Sequence, residues 1–340
     1  MREAYIDSVE ALIHSVKQLG CGFGEGARIA VINAAAHSFF KTFNAVMIHS
    51  FFPRYTDLKK SGFNAAASIE GQGEFDGGVI FAGKDQKRNL YDLFLLISSV
   101  KDRGEIALVS PNGLGGKTFM KNARPVLGGA EEFFKKKHRV LIAKNDKGFL
   151  ADDLCDQYRS FGDLKELEDS LFTRAGIFSS KKIDDGSKLL IETMRHEPCR
   201  GAAADFGSGN GYLSFELLKR FGDIESISLF EADYNALAVS KINIKDNRAN
   251  FIWSDITTLE RDEKFDIIVS NPPFHSGAQT DISLGKQFIH SAYNSLKRNG
   301  VFYVVANVKL PYEKIVQSLF DRWIAMAEKD GYKVLKATRS

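Results

Sequence analysis

Ala202-Ala203-Ala204-Asp205-Phe206-Gly207-Ser208-Gly209-Asn210-Gly211-Tyr212 is the stretch that decides the fold. Small apolar residues run unbroken into Asp205, as in a strand covered on both faces. Glycine then falls at every second position, as required where a backbone turns sharply and where another group must approach it closely. From Tyr212 to about Arg220, Leu213, Leu217 and Leu218 recur at helical spacing. A buried strand, a tight glycine turn and a helix begin a parallel α/β unit.

The same alternation continues outward. Residues 226–230 read as a strand ending at Glu231, and a helix around 236–245 carries Leu237, Val239 and Ile242. Residues 250–253 form a strand ending at Ser254-Asp255, and 265–269 one ending at Asn271. A helix from about 285 to 297 stops at Asn299-Gly300. Residues 301–305 are nearly all apolar, and an antiparallel strand is expected near 332–338. Most candidate functional residues sit at the carboxyl ends of strands, where open α/β sheets bind ligands.

The N-terminal half repeats this plan more faintly. Residues 27–32 read as a strand, but Asn33-Ala34-Ala35-Ala36 follow where glycines would stand. Phe75-Asp76 opens a strand as Phe265-Asp266 does, yet Ala82-Gly83-Lys84 occupies the place of Asn271-Pro272-Pro273-Phe274. Residues 105–109 resemble the later apolar strand. The expectation is a duplicated doubly wound α/β fold whose first copy is degenerate. Residues 147–165, rich in Asp and Lys, read as the linker.

Composition narrows the functional classes. The chain has 340 residues, which suggests two domains, and 46 basic against 43 acidic side chains give a net charge of only +3. Global charge therefore does not argue for a nucleic-acid partner. Cys21, Cys155 and Cys199 are far apart and read as free thiols, so no metal is expected. No apolar run approaches a membrane span, and Asp7 and Glu10 interrupt any apolar leader core. A cytoplasmic protein, away from membranes and monomeric, is expected.

The loop opening at Asp205 differs from a pyrophosphate loop because an acid precedes its glycines. That suits a ligand with cationic sulfonium and ammonium groups and no phosphate. Glu231, at the end of the next strand, is placed to accept ribose hydroxyls. Gly207, Gly209 and Asp255 complete the expected cofactor set, with NAD binding and a ligand-free tight turn as alternatives.

Ser270-Asn271-Pro272-Pro273-Phe274-His275 suggests the chemistry. The Asn271 amide oxygen can accept a hydrogen bond from an exocyclic amino group. The Pro272 carbonyl can accept its second proton, and Pro272 and Pro273 stiffen the loop. Two acceptors would take the nitrogen lone pair out of conjugation and aim it at an electrophile, while Phe274 offers a stacking face worth ~1–3 kcal/mol. Asn271 is thus assigned both to catalysis and to the edge of the cofactor site. His275 either touches a nucleotide or caps the loop.

Residues 174–187 could fold over a cofactor, with Phe178 packing and Ser179, Asp184 or Ser187 making polar contacts. They could equally form a helix entry capped by Asp184 or Asp185. Residues 111–118 end like a phosphate-binding loop, but proline stands where its first glycine belongs. The aromatic and basic run 133–139 reads as a solvated face, with an RNA contact as the alternative.

On these motifs the chain resembles the small-subunit ribosomal RNA guanine-N2 methyltransferase family. The likeness rests on Gly176-Ile177-Phe178-Ser179, on Asp184 with Gly186-Ser187, on 205–211, on 268–275, and on 305–307 with 310–312. Ala175 departs from the family's usual proline, and Lys181-Lys182 also differ. The resemblance implies tandem Rossmann-like class I methyltransferase domains, a degenerate one over 1–160 and a catalytic one over 165–340. It implies S-adenosylmethionine as donor, a guanine amino group of ribosomal RNA or of a ribosomal subunit as acceptor, and a first domain that orients RNA or supports the second. Alternatives are a large-subunit RNA guanine-N2 methyltransferase, a protein glutamine methyltransferase, and a non-catalytic RNA-binding assembly factor.

Overall fold

The computed structural model describes residues 2–20, 23–147, 152–258, 264–273, 275–276, 279–280 and 282–340. Cys21 and Phe274 lie outside them. The chain divides into two compact units, one of residues 1–164 with 174–176, the other of 165–173 with 177–340.

The first unit begins with helix α1 (Arg2–Leu19), which buries Val9, Ala11 and Leu12. Then come β1 (Arg28–Ile32), β2 (Asn44–Ile48), α2 (Phe52–Lys60), β3 (Asn64–Ala66), β4 (Phe75–Phe81) and α3 (Gln86–Ser99). β5 (Val100–Pro111), α4 (Gly116–Ala123), β6 (Glu131–Lys135), β7 (His138–Lys144) and α5 (Asp152–Ser160) complete it. The seven strands lie in the order β3-β2-β1-β4-β5-β7-β6, the last two antiparallel. α5 occupies the stretch expected to be a linker. Tyr158 explains the difference, because it is buried in the first unit's core and its hydroxyl donates to the Asn122 carbonyl at 2.5 Å.

The second unit starts with a two-strand ladder, β8 (Lys165–Glu166) and β9 (Phe172–Thr173), followed by α6 (Asp185–Thr193). β10 (Gly201–Phe206), α7 (Tyr212–Arg220), β11 (Ile224–Glu231), α8 (Tyr234–Asn243), β12 (Ala249–Trp253) and β13 (Phe265–Ser270) form the parallel half. After the short β14 (His275–Ser276) and β15 (Gln279–Thr280) come α9 (Ile282–Ser295), β16 (Leu296–Asn307), α10 (Tyr312–Leu319), β17 (Arg322–Lys329) and β18 (Tyr332–Thr338). The sheet order β12-β11-β10-β13-β16-β18-β17 reproduces the first sheet, and β18 is the expected antiparallel strand. Core residues cover both faces of this sheet, with Phe206, Phe230, Ile268 and Phe302 on one side and Ile227, Leu229, Val269 and Val305 on the other.

The two units share more than strand order. In each, an aspartate early in the fourth strand of the sheet accepts from the backbone at the start of the first: Asp76 from Arg28 N at 2.9 Å, Asp266 from Ala202 N at 2.8 Å. Each aspartate also pairs with a lysine one residue into the next strand, Lys101 at 2.7 Å and Lys297 at 2.8 Å. A left-handed Arg103 and a left-handed Asn299 then bend those strands alike. Asn33, at φ 62°, holds the place of Gly207, at φ 76°, and each donates its backbone N–H to the end of the neighbouring strand, on Ile48 and Phe230 respectively. Asparagine tolerates this conformation, so the turn survives while the glycines after it are lost.

The matched aspartates predict a matched loss. Asp266→Ala and Asp76→Ala should each lower stability by about 1 kcal/mol through loss of a charge-assisted hydrogen bond to backbone. Urea unfolding checks this, and unchanged stability in both variants would contradict it.

Candidate active site

Parallel strands with helices packed behind them bring the loops after β10, β11, β12 and β13 to one edge of the second sheet. Gly207, Gly209 and Gly211 all have positive φ, at 76°, 58° and 89°. A Cβ on Gly209 would meet no atom within 4 Å, so the loop backbone stands open to a ligand.

Asp205 is fully buried beneath this loop. Its Oδ2 accepts from the Ser214 hydroxyl at 2.7 Å, and its Oδ1 has no partner among the described residues. Glu231 is half-buried at the end of β11. Its two oxygens accept from Gly209 N at 2.7 Å and Asp233 N at 2.8 Å, so the glycine loop and the second strand end are tied together. Asp255 lies apart from that pair. Its Oδ1 accepts from the Thr257 backbone N–H and hydroxyl, at 2.9 and 2.7 Å, and caps the turn Ile256–Thr258.

A depression over the loop is lined by Phe178, Ser179, Ile183, Asp184, Ser187, Gly207, Ser208, Gly209, Asn210, Tyr212, Leu213 and Asn271. Of the expected site residues, the structure brings Phe178, Gly207, Gly209 and Asn271 together here. Asp205, Glu231 and Asp255 are not among its lining. Phe178 is 58% exposed, a large apolar side chain left facing solvent. Pro272 is buried and Pro273 exposed.

Of the two readings of the segment before α6, the helix cap is the one seen for Asp184. It caps that helix, its Oδ2 accepting from Ser187 N at 2.9 Å. The same oxygen and the Ser187 hydroxyl each accept from the Asn271 side-chain nitrogen at 2.8 Å. Asn271 Oδ1 is buried and has no partner among the described residues. Ser208, Asn210, Tyr212 and Leu213 were missed as lining residues, although the glycine pattern places them between strand and helix. Asn210 is tied to Asn243, whose Nδ2 donates to the Asn210 carbonyl at 2.8 Å and to the Phe172 carbonyl at 2.9 Å.

The first unit's counterpart is closed. Ala34 is buried, and the Tyr5 hydroxyl of α1 donates to the Ala35 carbonyl at 2.8 Å. His49 stands where the second unit has Glu231, and burial, aided by Arg54, pushes its pKa down to about 4. A neutral imidazole thus replaces a carboxylate. In the aromatic and basic hairpin, Phe134 is exposed beneath the Arg139 guanidinium at 4.5 Å, while Lys136 pairs with Asp7 and Glu10. Among the described residues no group of three His, Cys, Asp or Glu could hold a metal ion, and no helix is long and apolar enough to cross a membrane.

Burial pushes the Asp205 carboxyl up to about 7, with the charge of Glu231 adding and the Ser214 hydrogen bond opposing. Burial likewise raises Glu231 to about 7, against backbone hydrogen bonds from Asp233 and Gly209. Both groups hold protons more tightly in the fold than in the unfolded chain, where such carboxyls titrate near ~4. Their contribution favours the fold at low pH and is lost as pH rises through about 7. Unfolding free energy should therefore fall between roughly pH 4 and pH 7 in the wild type. In Asp205→Asn/Glu231→Gln the fall should be visibly flatter, and equal slopes would refute this electrostatic account.

Residues 168–336 match the family described as the methyltransferase small domain. Similar proteins include the ribosomal RNA small subunit methyltransferase C of Idiomarina loihiensis, 25% identical over 93% of this chain and 91% of the relative. The protein of that name from Shewanella loihica is 29% identical over 76% of each chain. That from Sodalis glossinidius is 29% identical over 81% of this chain and 77% of its own. Among solved structures, a T. thermophilus 16S rRNA N2 guanine methyltransferase in complex with AdoMet and guanosine superposes with a TM-score of 0.80. It is 22% identical and covers 97% of this chain and 92% of its own. The two-unit fold is shared.

Proposed function

We propose, from the membership of residues 168–336 in the methyltransferase small domain family, that the chain methylates the exocyclic N2 amino group of a guanine in small-subunit ribosomal RNA. The donor is S-adenosylmethionine. The observation that carries the choice of an amino acceptor is Asn271, whose amide nitrogen is engaged and whose buried oxygen is left to accept. Relatives that match 76% to 93% of the chain and are named ribosomal RNA small subunit methyltransferases support the substrate class.

The residues present fit the donor. Gly209 leaves open space over the loop, and the buried Asp205 Oδ1 and Ser208 hydroxyl lack partners among the described residues. Glu231, fixed by two backbone N–H groups, is suited to accept ribose hydroxyls, and Phe178 to cover the depression. When bound, the cofactor supplies a methyl group activated on a sulfonium sulfur. Asn271 accepts one amino proton of the guanine and the Pro272 carbonyl the other, so the nitrogen lone pair is held out of conjugation. Phe274, outside the described residues, is assigned the stacking face. No strong base is required at this site, because the nitrogen's proton becomes acidic once the nitrogen is alkylated.

The target guanine must be unstacked to reach Asn271. The first unit, with its glycine loop replaced and His49 in place of the acid, is assigned a role in orienting RNA or supporting the second. The protein acts on RNA in the cytoplasm.

Two measurements test this reading. Calorimetry should find one S-adenosylmethionine site per chain, weakened by Glu231→Ala; two sites, or binding indifferent to that change, would overturn the assignment. Single-turnover methylation of small-subunit RNA should give N2-methylguanosine, and Asn271→Ala should lower the rate at least ~100-fold, roughly 3 kcal/mol, by analogy with loss of one oxyanion-hole contact. The same variant should bind cofactor nearly normally, because its lost hydrogen bond belongs to the acceptor. Labelled methyl groups appearing in protein glutamine instead would favour the rival substrate.

A further inference from the structure

We infer that Asp184 and Ser187 are positioning residues that fix the polarity of the Asn271 amide, so that its oxygen and not its nitrogen faces the acceptor amino group. This deepens the proposed reaction and rests on it.

An asparagine amide is nearly symmetric in shape, and only its surroundings decide which end carries the donor. Here the surroundings decide firmly. Asp184 Oδ2 already accepts the Ser187 backbone N–H, so it presents a lone pair to Asn271. The Asn271 nitrogen donates to that oxygen and to the Ser187 hydroxyl, both at 2.8 Å, which uses both of its hydrogens. A flipped amide would set its oxygen against Asp184 Oδ2 and lose that bond; the Ser187 hydroxyl could turn to donate instead, so the carboxylate fixes the polarity and the hydroxyl steadies it.

The flipped state would also be unreactive. It would present N–H groups to an amino group, donor against donor, and would not draw out the nitrogen lone pair. The cap and first turn of α6, 84 to 87 residues upstream of Asn271, therefore contribute to the reaction without touching the reacting atoms.

The test compares Asp184→Asn, Ser187→Ala and Ser187→Thr, each alone and in the Asn271→Ala background. Asp184→Asn should lower the single-turnover rate at saturating cofactor at least ~10-fold, with cofactor Kd changed less than ~3-fold. Ser187→Ala should lower it less, and Ser187→Thr should restore it. In the Asn271→Ala background both changes should add nothing further, because they act through Asn271. Rates that fall multiplicatively in that background, or a Kd raised tenfold with an unchanged saturated rate, would overturn positioning in favour of a cofactor contact.

A readout independent of activity separates this inference from the reaction itself. In wild-type protein with asparagine side chains labelled in nitrogen, the Asn271 amide protons should exchange slowly with solvent, and Asp184→Asn should release them. Fast exchange in the wild type would refute the clamp whatever the substrate. Slow exchange with no N2-methylguanosine product would leave the clamp in place and refute the guanine reading.

Discussion

Everything at the site depends on β10 lying between β11 and β13 in parallel register. Phe206 pairs with Phe230 on one side and with Ser270 on the other. Three strand ends therefore finish at the same height, and the chain must leave each of them through a loop at one edge. Covering helices make those loops turn tightly, and three left-handed glycines let the first do so without a side chain in the opening. Glu231 and Asn271 reach this edge because their strands stop there, Glu231 as the last residue of β11 and Asn271 one residue beyond β13.

The burial that shapes this edge also sets its electrostatics. Asp205 and Glu231 are held on a structure whose interior disfavours their charge, and backbone N–H groups only partly offset that. A ligand bringing positive charge and hydroxyl donors would relieve the cost that burial imposes on these carboxyls. The first unit shows the opposite choice. It keeps the left-handed turn at Asn33 and the Asp76–Lys101 device, but Ala34 is buried, Tyr5 closes on Ala35, and neutral His49 replaces the acid. The features shared by the two units are those that tie the sheet together; those at the strand ends differ.

What the sequence made legible was local. The strand–turn–helix at Ala202 to Arg220 could be read because glycine spacing and a leucine stripe lie within twenty residues. The strand ends at Glu231, Asp255 and Asn271 followed from apolar runs meeting polar residues. The likeness of Phe75-Asp76 to Phe265-Asp266 was also visible. Its cause was not, since the backbone partners lie 48 and 64 residues away and the lysines 25 and 31. Helix α5 escaped notice because its acidic surface outweighed the single burying side chain of Tyr158. For Asp184 the local cap was readable, while its hold on Asn271, 87 residues distant, required the fold.

The Asn271 oxygen, without a partner among the described residues, bears on why that hold exists. Leaving a buried acceptor unsatisfied costs about 1–3 kcal/mol. A side chain selected for stability alone would turn its oxygen to a donor or be apolar. Here two acceptors take both amide hydrogens and leave the buried oxygen without a partner among the described residues. On the proposed reaction, an acceptor amino group donating to this oxygen would recover that cost, so the interaction would be strongest where the reaction requires it.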